Sequence, residues 1–445
     1  MARWLLERLE RAGDKPAIVW RDREYTYAWL REQVERWRRE LDERGVRPGT
    51  VVALESDYSP LATALFLALV DLRAIAVPLA SNLQDRERRY AIAQVQQVLR
   101  LEGEECSFQE RGAEPDHPLL RGLVEAGNPG LVIFTSGSTG EPKAVLHDFS
   151  RILDAFKAPR RSLRTITFLL FDHIGGVNTL LGILANDGVM VCVEDRRPDA
   201  VCAAVERHRV ELLPPTPTFL NLLLLSEAYK RHDLSSLTQI TYGTEPMPET
   251  TLSRLREVLP GVRLFQAYGL SELGIVRSES RGSDSPWIKL GGAGFEAKVV
   301  DGALWIRAET AMLGYLNAPS PFDEEGWFNT EDEVLVDGEY VRILGRRSEI
   351  INVGGEKVFP AEVEDVLLEL PSVRDVIVRG EPNPLTGQIV VAQVELFEPE
   401  PMPDFRRRMR EHCRTRLDPW KIPAKVEPLD PAAHSERFKK IRTAP

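Results

Sequence analysis

Leu131–Leu146 reads LVIFTSGSTGEPKAVL. An apolar run, Leu131–Phe134, leads into nine residues rich in Thr, Ser and Gly that close with Pro142-Lys143. Glycines let a backbone turn sharply and approach a ligand closely, while hydroxyls and free N–H groups point inward and one lysine adds positive charge. A second apolar run, Ala144–Leu146, follows at once. A solvated linker can have the same Ser/Gly/Thr composition, but it is rarely bounded by apolar runs on both sides. The stretch reads as a strand, a loop able to hold a polyphosphate, and a second strand. It is not the GxxxxGK[ST] loop of kinases and ATPases: its lysine stands three residues after the last glycine, behind a proline, and no Ser or Thr follows. One lysine on such a loop can hold β- and γ-phosphates and leave an α-phosphate open to attack.

Outward from this loop, helical patterns alternate with short β-branched runs. A helix is expected near Tyr27–Gly45, a strand at Thr50–Leu54, a buried helix near Pro60–Leu72 and a strand at Ala74–Leu79. Further strands are expected at Thr165–Leu170, Val189–Val193 and Gln239–Tyr242. Strands separated by helices imply parallel βαβ units, hence an α/β layered domain. The last quarter differs. Val334–Val336 and Tyr340–Ile343 flank Asp337-Gly338, a hairpin signal. A strand at Ile350–Val353, the pair Gly354-Gly355 and a helix opened by Pro360 follow. Strands at Asp375–Arg379 and Ile389–Leu396, a helix at Pro403–Leu417 and a strand at Lys425–Leu429 complete a small α+β unit. The expected division is a large N-terminal domain, 1–346, and a small C-terminal domain, 347–445.

The chain has 445 residues, 43% of them hydrophobic and 28% charged, with a formal net charge of −11. That length suits two or three domains with a large core. The acidic balance argues against a nucleic-acid surface. Cys106, Cys192, Cys202 and Cys413 lack CxxC spacing, so neither a disulfide framework nor a zinc site is implied, and a reducing cytoplasm fits. Leu61–Ala80 is broken by Asp71 and Arg73, and no membrane span is expected.

Five motifs in order resemble those of the adenylate-forming superfamily of acyl-CoA synthetases, nonribosomal peptide adenylation domains and beetle luciferases. These are TSGSTGEPKAV at Thr135–Val145, QAYGLSE at Gln266–Glu272, GWFNTED at Gly326–Asp332, GRRSEIINVGGEKVFPAEVE at Gly345–Glu364, and RFKKIR at Arg437–Arg442. The chain is most similar to an AMP-forming acyl-CoA synthetase. The resemblance implies ATP, magnesium and CoA (or a carrier-protein phosphopantetheine) as cofactors, and a mobile C-terminal domain. Thr135, Ser136, Gly137, Ser138, Thr139, Gly140 and Lys143 would hold phosphates. Tyr268 would stack on adenine opposite the backbone of Gly243, Thr244 and Glu245, with Gln266 near its amino edge. Beside Gly269, Ser271 would donate to a phosphate oxygen and Glu272 would ligate magnesium. Asp332 and Arg346 would reach the ribose. Lys440 would lie between the acid and the α-phosphate, and Gly354-Gly355 would line a pantetheine tunnel.

Each of these residue types also has an ordinary structural reading. Lysines in a basic tail are usually solvated, Tyr-Gly is usually a turn, and the pattern as a whole carries the assignment. His173, in FLLFDHIGGVNTLL (Phe168–Leu181), matches a family position bordering the acyl pocket, as a group that positions the acyl chain; it also reads as a histidine ending a strand. Gly175 and Gly176 would let a substrate approach the backbone.

Three positions depart from the superfamily pattern: Glu331 and Lys439 where glycine is usual, and Ser348 at the expected hinge. About fifty residues separate Leu79 from the phosphate loop, fewer than in typical relatives. The implied activity is an ATP-dependent ligase joining a small carboxylic acid to the thiol of CoA or of an acyl carrier protein. The alternative is a nucleotide-binding homologue without thioester ligase activity.

Overall fold

The computed structural model describes residues 3–112, 114–136 and 141–429. Two seven-stranded sheets form the bulk of the N-terminal part. In one, Val51–Glu55 runs parallel to both Ile75–Leu79 and Gln97–Glu102, and Ile75–Leu79 runs parallel to Gly130–Ser136. The other places Pro16–Trp20, Val189–Val191, Arg164–Ile166, Leu212–Leu213, Gln239–Tyr242 and Arg263–Gln266 in one parallel series. The expected βαβ organisation is present, with Gln239–Tyr242 at its predicted bounds.

The helix Pro60–Asp71 explains how the layers join. Ser59 accepts a hydrogen bond from the Ala62 amide at 3.1 Å, and Pro60 occupies the first turn, as both residue types favour. Apart from the partly exposed Leu61 and Asp71, its residues are buried, because it lies in a core shared with Ile18 and Met190 of one sheet and Val52 and Leu131 of the other. A helix apolar all round must be covered on all sides.

A six-stranded antiparallel sheet follows, built around the hairpin Phe328–Asp337 and Tyr340–Arg346. Its turn lies one residue beyond the expected place. Asp337 pairs with Tyr340, so Gly338-Glu339 forms the loop, with Gly338 at φ +59°. Arg346 ends this sheet, Arg347–Glu349 forms one 3₁₀ turn, and Ile351–Val353 opens a separate five-stranded sheet. Gly354 and Gly355, at φ +64° and +96°, make the two-residue turn between Ile351–Val353 and Glu356–Val358. This is the geometry in which paired glycines are favoured. The C-terminal part has its own apolar core, whose members all fall between Ile351 and Val426. Among the described residues, no helix is long and apolar enough to cross a membrane.

Candidate nucleotide site

The opening stretch forms an antiparallel hairpin. Gly130–Ser136 pairs with Pro142–Asp148, Thr135 lies opposite Lys143, and Ser136 lies opposite Pro142. The loop is therefore closed at its base by regular pairing. Asn317 fixes that base: its side-chain amide donates to the Pro142 carbonyl at 2.9 Å, and its side-chain oxygen accepts from the Ala144 amide at 2.9 Å. The short strand Gly314–Tyr315 pairs with Val145 and Leu146 and sets Tyr315 beside the lysine. The Lys143 ammonium stands 5.2 Å from the centre of the Tyr315 ring, within cation–π range. Gly137, Ser138, Thr139, Gly140 and the Ser136 side chain lie outside the described residues, as do Lys439 and Lys440.

Tyr315 also links the loop to the next motif. Its hydroxyl donates to Glu272 Oε1 at 2.7 Å. Ser271, Glu272 and Leu273 form the turn joining Tyr268–Leu270 to Gly274–Val276. The backbone of this turn is held from two sides: the Met312 amide donates to the Glu272 carbonyl at 2.8 Å, and Thr310 Oγ1 donates to the Leu273 carbonyl at 2.6 Å. His147, fully buried on the outgoing strand of the phosphate-loop hairpin, meets the Ser271 carbonyl through Nε2 at 2.6 Å. A carbonyl partner makes Nε2 the protonated nitrogen. Burial lowers the His147 pKa to about 4, so the ring is neutral near pH 7.

At the other end of the site, the Tyr268 hydroxyl donates to Asp332 Oδ2 at 2.5 Å. The Tyr268 ring is nearly buried beside Leu270, Leu273 and Phe328. Arg346 Nε is 3.5 Å from Asp332 Oδ1. Burial raises the Asp332 pKa, against the opposing pull of Arg346 and the Tyr268 hydroxyl. Such a carboxylate gains from further donors, which ribose hydroxyls supply. Gln266 is 6% exposed, and among the described residues its Oε1 has no hydrogen-bond partner. An orphaned buried acceptor is costly, and an exocyclic amine would satisfy it. Gly243 cannot carry a side chain, because a Cβ there would stand 2.6 Å from the Ala267 carbonyl oxygen. Thr244 has φ +76°, and Glu245 accepts from Thr218 Oγ1 at 2.7 Å and from the Thr218 amide at 3.3 Å. Gly269 is fixed by packing: a Cβ would meet Ile275 Cδ1 at 2.7 Å and the Gly274 carbonyl at 2.8 Å.

Glu331 keeps the conformation that glycine would adopt. Its φ is +60°, and its amide donates to Asn329 Oδ1 at 2.9 Å. The next amide, Asp332, donates to Thr330 Oγ1 at 3.1 Å. The turn is thus held by local side chains.

His173 and the glycines after it have a role within the fold itself. His173 is the N-cap of the helix Ile174–Leu184, and its Nδ1 accepts from the Gly175 amide at 3.0 Å. The space at Gly176 is taken by the protein's own backbone, with a Cβ position 1.9 Å from the Leu170 carbonyl oxygen. The glycines serve the strand-to-helix corner. Gly354 and Gly355 are exposed, and a Cβ on either would meet nothing within 4 Å.

Sequence reasoning missed His147, Tyr315 and Asn317. His147 sits four residues after Lys143, one residue beyond the quoted stretch, but its partner is 124 residues away.

Residues 5–316 match the AMP-binding enzyme family, and residues 362–439 match the AMP-binding enzyme C-terminal domain. The chain belongs to the AMP-binding enzymes. Its relatives in this adenylate-forming family include an indoleacetate–CoA ligase of Aromatoleum aromaticum, 27% identical, with 97% of this chain and 94% of that one covered. A 2-succinylbenzoate–CoA ligase of Bacillus pumilus is also 27% identical over 96% of this chain and 94% of its own length. In fold, the chain is similar to an anthranilate CoA ligase solved with anthranoyl-AMP, with a TM-score of 0.84, 22% identity and coverage of 98% and 95%. Family and relatives together support an ATP-dependent acid–CoA ligase.

Proposed function

We propose that this chain activates an aromatic carboxylic acid as its acyl-adenylate and passes the acyl group to the thiol of CoA. The observation that carries this reading is the placement of Lys143 over the Tyr315 ring and Glu272 on its hydroxyl, with Arg346 beside Asp332. An acid and a triphosphate repel each other, and their meeting requires fixed positive charge and oriented donors.

In the first half-reaction, a carboxylate oxygen attacks the α-phosphorus, a C–O–P linkage forms, and the bond to pyrophosphate breaks. Lys143 with the loop above Thr135 would hold the departing pyrophosphate. Asp332 and Arg346 would fix the ribose, and Gln266 the adenine amino edge. Glu272 would hold magnesium, which supplies charge neutralisation at the phosphates. Lys440 would stabilise charge at the attacked phosphate. In the second half-reaction the CoA sulfur attacks the acyl carbon and AMP leaves.

The C-terminal unit, 347–445, would move between the two steps, with Lys440 withdrawing and Gly354-Gly355 approaching. Its self-contained apolar core and polar contacts with the rest of the chain support such movement, because units without a shared apolar interface move easily. The aromatic class of acid is supported by the relatives named for indoleacetate, 2-succinylbenzoate and ferulate.

Hydroxylamine trapping over a panel of aryl, fatty and short-chain acids tests the reading. Hydroxamate and AMP are expected with at least one aryl acid. ADP in place of AMP, or no nucleotide cleavage with any acid, would overturn it.

A further inference from the structure

Asp365 belongs to the helix Pro360–Leu368 of the C-terminal unit, yet its carboxylate serves a helix of the N-terminal part. Oδ2 accepts from the Glu249 amide at 3.1 Å, while Oδ1 accepts from the Thr250 amide at 3.1 Å and from Thr250 Oγ1 at 2.9 Å. The helix so capped is Glu249–Val258. Its own N-cap residue is Pro248, which makes no side-chain cap bond. The first amides of a helix have no partner within it, and a carboxylate there also meets the positive end of the helix dipole. Sequence-local residues ordinarily supply this cap; here it comes from 115 residues away.

A second polar clasp spans the same boundary. Glu333, 6% exposed on the six-stranded sheet, accepts from Arg347 Nε at 2.7 Å and from Lys357 Nζ at 3.2 Å. Its carboxyl lies below the usual range: burial would raise it, and the two cations outweigh that effect. In this docking the Gly354-Gly355 turn faces solvent. A turn so placed is not lining a tunnel against the N-terminal part.

We propose that Asp365 is a positioning residue for the first half-reaction. By capping Glu249–Val258 across the domain boundary, it selects the docking of the C-terminal unit in which the acid is adenylated. The proposal rests on the alternation put forward above. The contacts of the Asp365 carboxylate are with Glu249 and Thr250, and it acts through the orientation of the unit that carries it. Rotation of the unit breaks three hydrogen bonds and uncaps a helix, so the cap biases the equilibrium toward the docked arrangement.

The test compares two rates in Asp365→Ala and wild type. One is acid-dependent pyrophosphate release, and the other is thioester formation from preformed acyl-adenylate and CoA. The acid is whichever of indoleacetate, 2-succinylbenzoate, anthranilate and ferulate gives the fastest hydroxamate. Each rate scales with the population of its own docking, so their ratio follows the docking equilibrium directly. Loss of a helix cap of this kind is expected to lower the ratio of first to second by about fivefold. Thr250→Ala removes one of the three hydrogen bonds from the N-terminal side and leaves the C-terminal unit intact; a smaller fall in the same direction is expected. An unchanged ratio in both variants, or a parallel fall of both rates in folded protein, would overturn the proposal. Failure of the ligase reading looks different: wild type itself would make no adenylate from any of the four acids.

Discussion

Asp332 and Arg346 are direct partners in the antiparallel ladder of the six-stranded sheet, and their side chains meet on one face at 3.5 Å. The ladder places one acceptor and one donor where a ribose must lie, and a register slip of a single residue would turn both away. The Tyr268 hydroxyl then fixes the second carboxylate oxygen. At the phosphate end Tyr315 has the corresponding part, with the lysine over its ring and the carboxylate on its hydroxyl.

Tyr315→Phe keeps the ring beneath Lys143 and removes only the bond to Glu272. Hydrogen bonds to charged groups contribute about 1.5–3 kcal/mol, and Glu272 is partly solvated, so the lower end applies. The KM for magnesium-ATP is expected to rise about tenfold, with the KM for the acid little changed. Initial rates at varied magnesium-ATP check this, and an unchanged magnesium-ATP dependence would refute the role given to Tyr315.

His147 gives a pH signature. Its folded pKa of about 4 lies below the ordinary 6.5, so the unfolded chain binds the proton more readily between these values. The stability that goes with a neutral ring is complete above pH 6.5 and is lost as pH falls toward 4. Between pH 7.5 and pH 5 the loss attributable to this one group is about 2 kcal/mol. His147→Gln can still donate to the Ser271 carbonyl but does not titrate. Denaturant unfolding at the two pH values should show a wild-type decline that exceeds the variant's by that amount. Equal declines would mean that His147 is not buried in neutral form.

At Glu331 the left-handed backbone sets the expectation. Glu331→Gly should fold at least as well as the parent, and Glu331→Val should lose about 1–2 kcal/mol, because a β-branched side chain resists positive φ. Thermal or denaturant unfolding of the pair decides it. A valine variant as stable as the glycine variant would show that the turn is not held in this conformation.

Much of the site was legible in the sequence because its motifs are contiguous. A strand, a loop and a strand announce themselves in Leu131–Leu146, and YGLSE and FNTED are each five consecutive residues. The supporting residues were hidden because each serves a segment far away in the chain. Asn317 braces Pro142, and His147 holds Ser271. Asp365 caps a helix whose own sequence lacks a cap. Gly175 and Gly176 illustrate a related point: a glycine signals that something comes close, and at the Cβ positions of this pair the neighbours are Leu169 and Leu170. His173 offered a ring nitrogen to the helix it begins, a use its spacing to Gly175 could have suggested.

The turn at Glu331 bears on how distant members of such a family can be found at all. A search pattern that demands glycine there would discard this chain, although the backbone angle and the aspartate after it are both in place. Written as a torsion angle and an acceptor, the same motif would retain it.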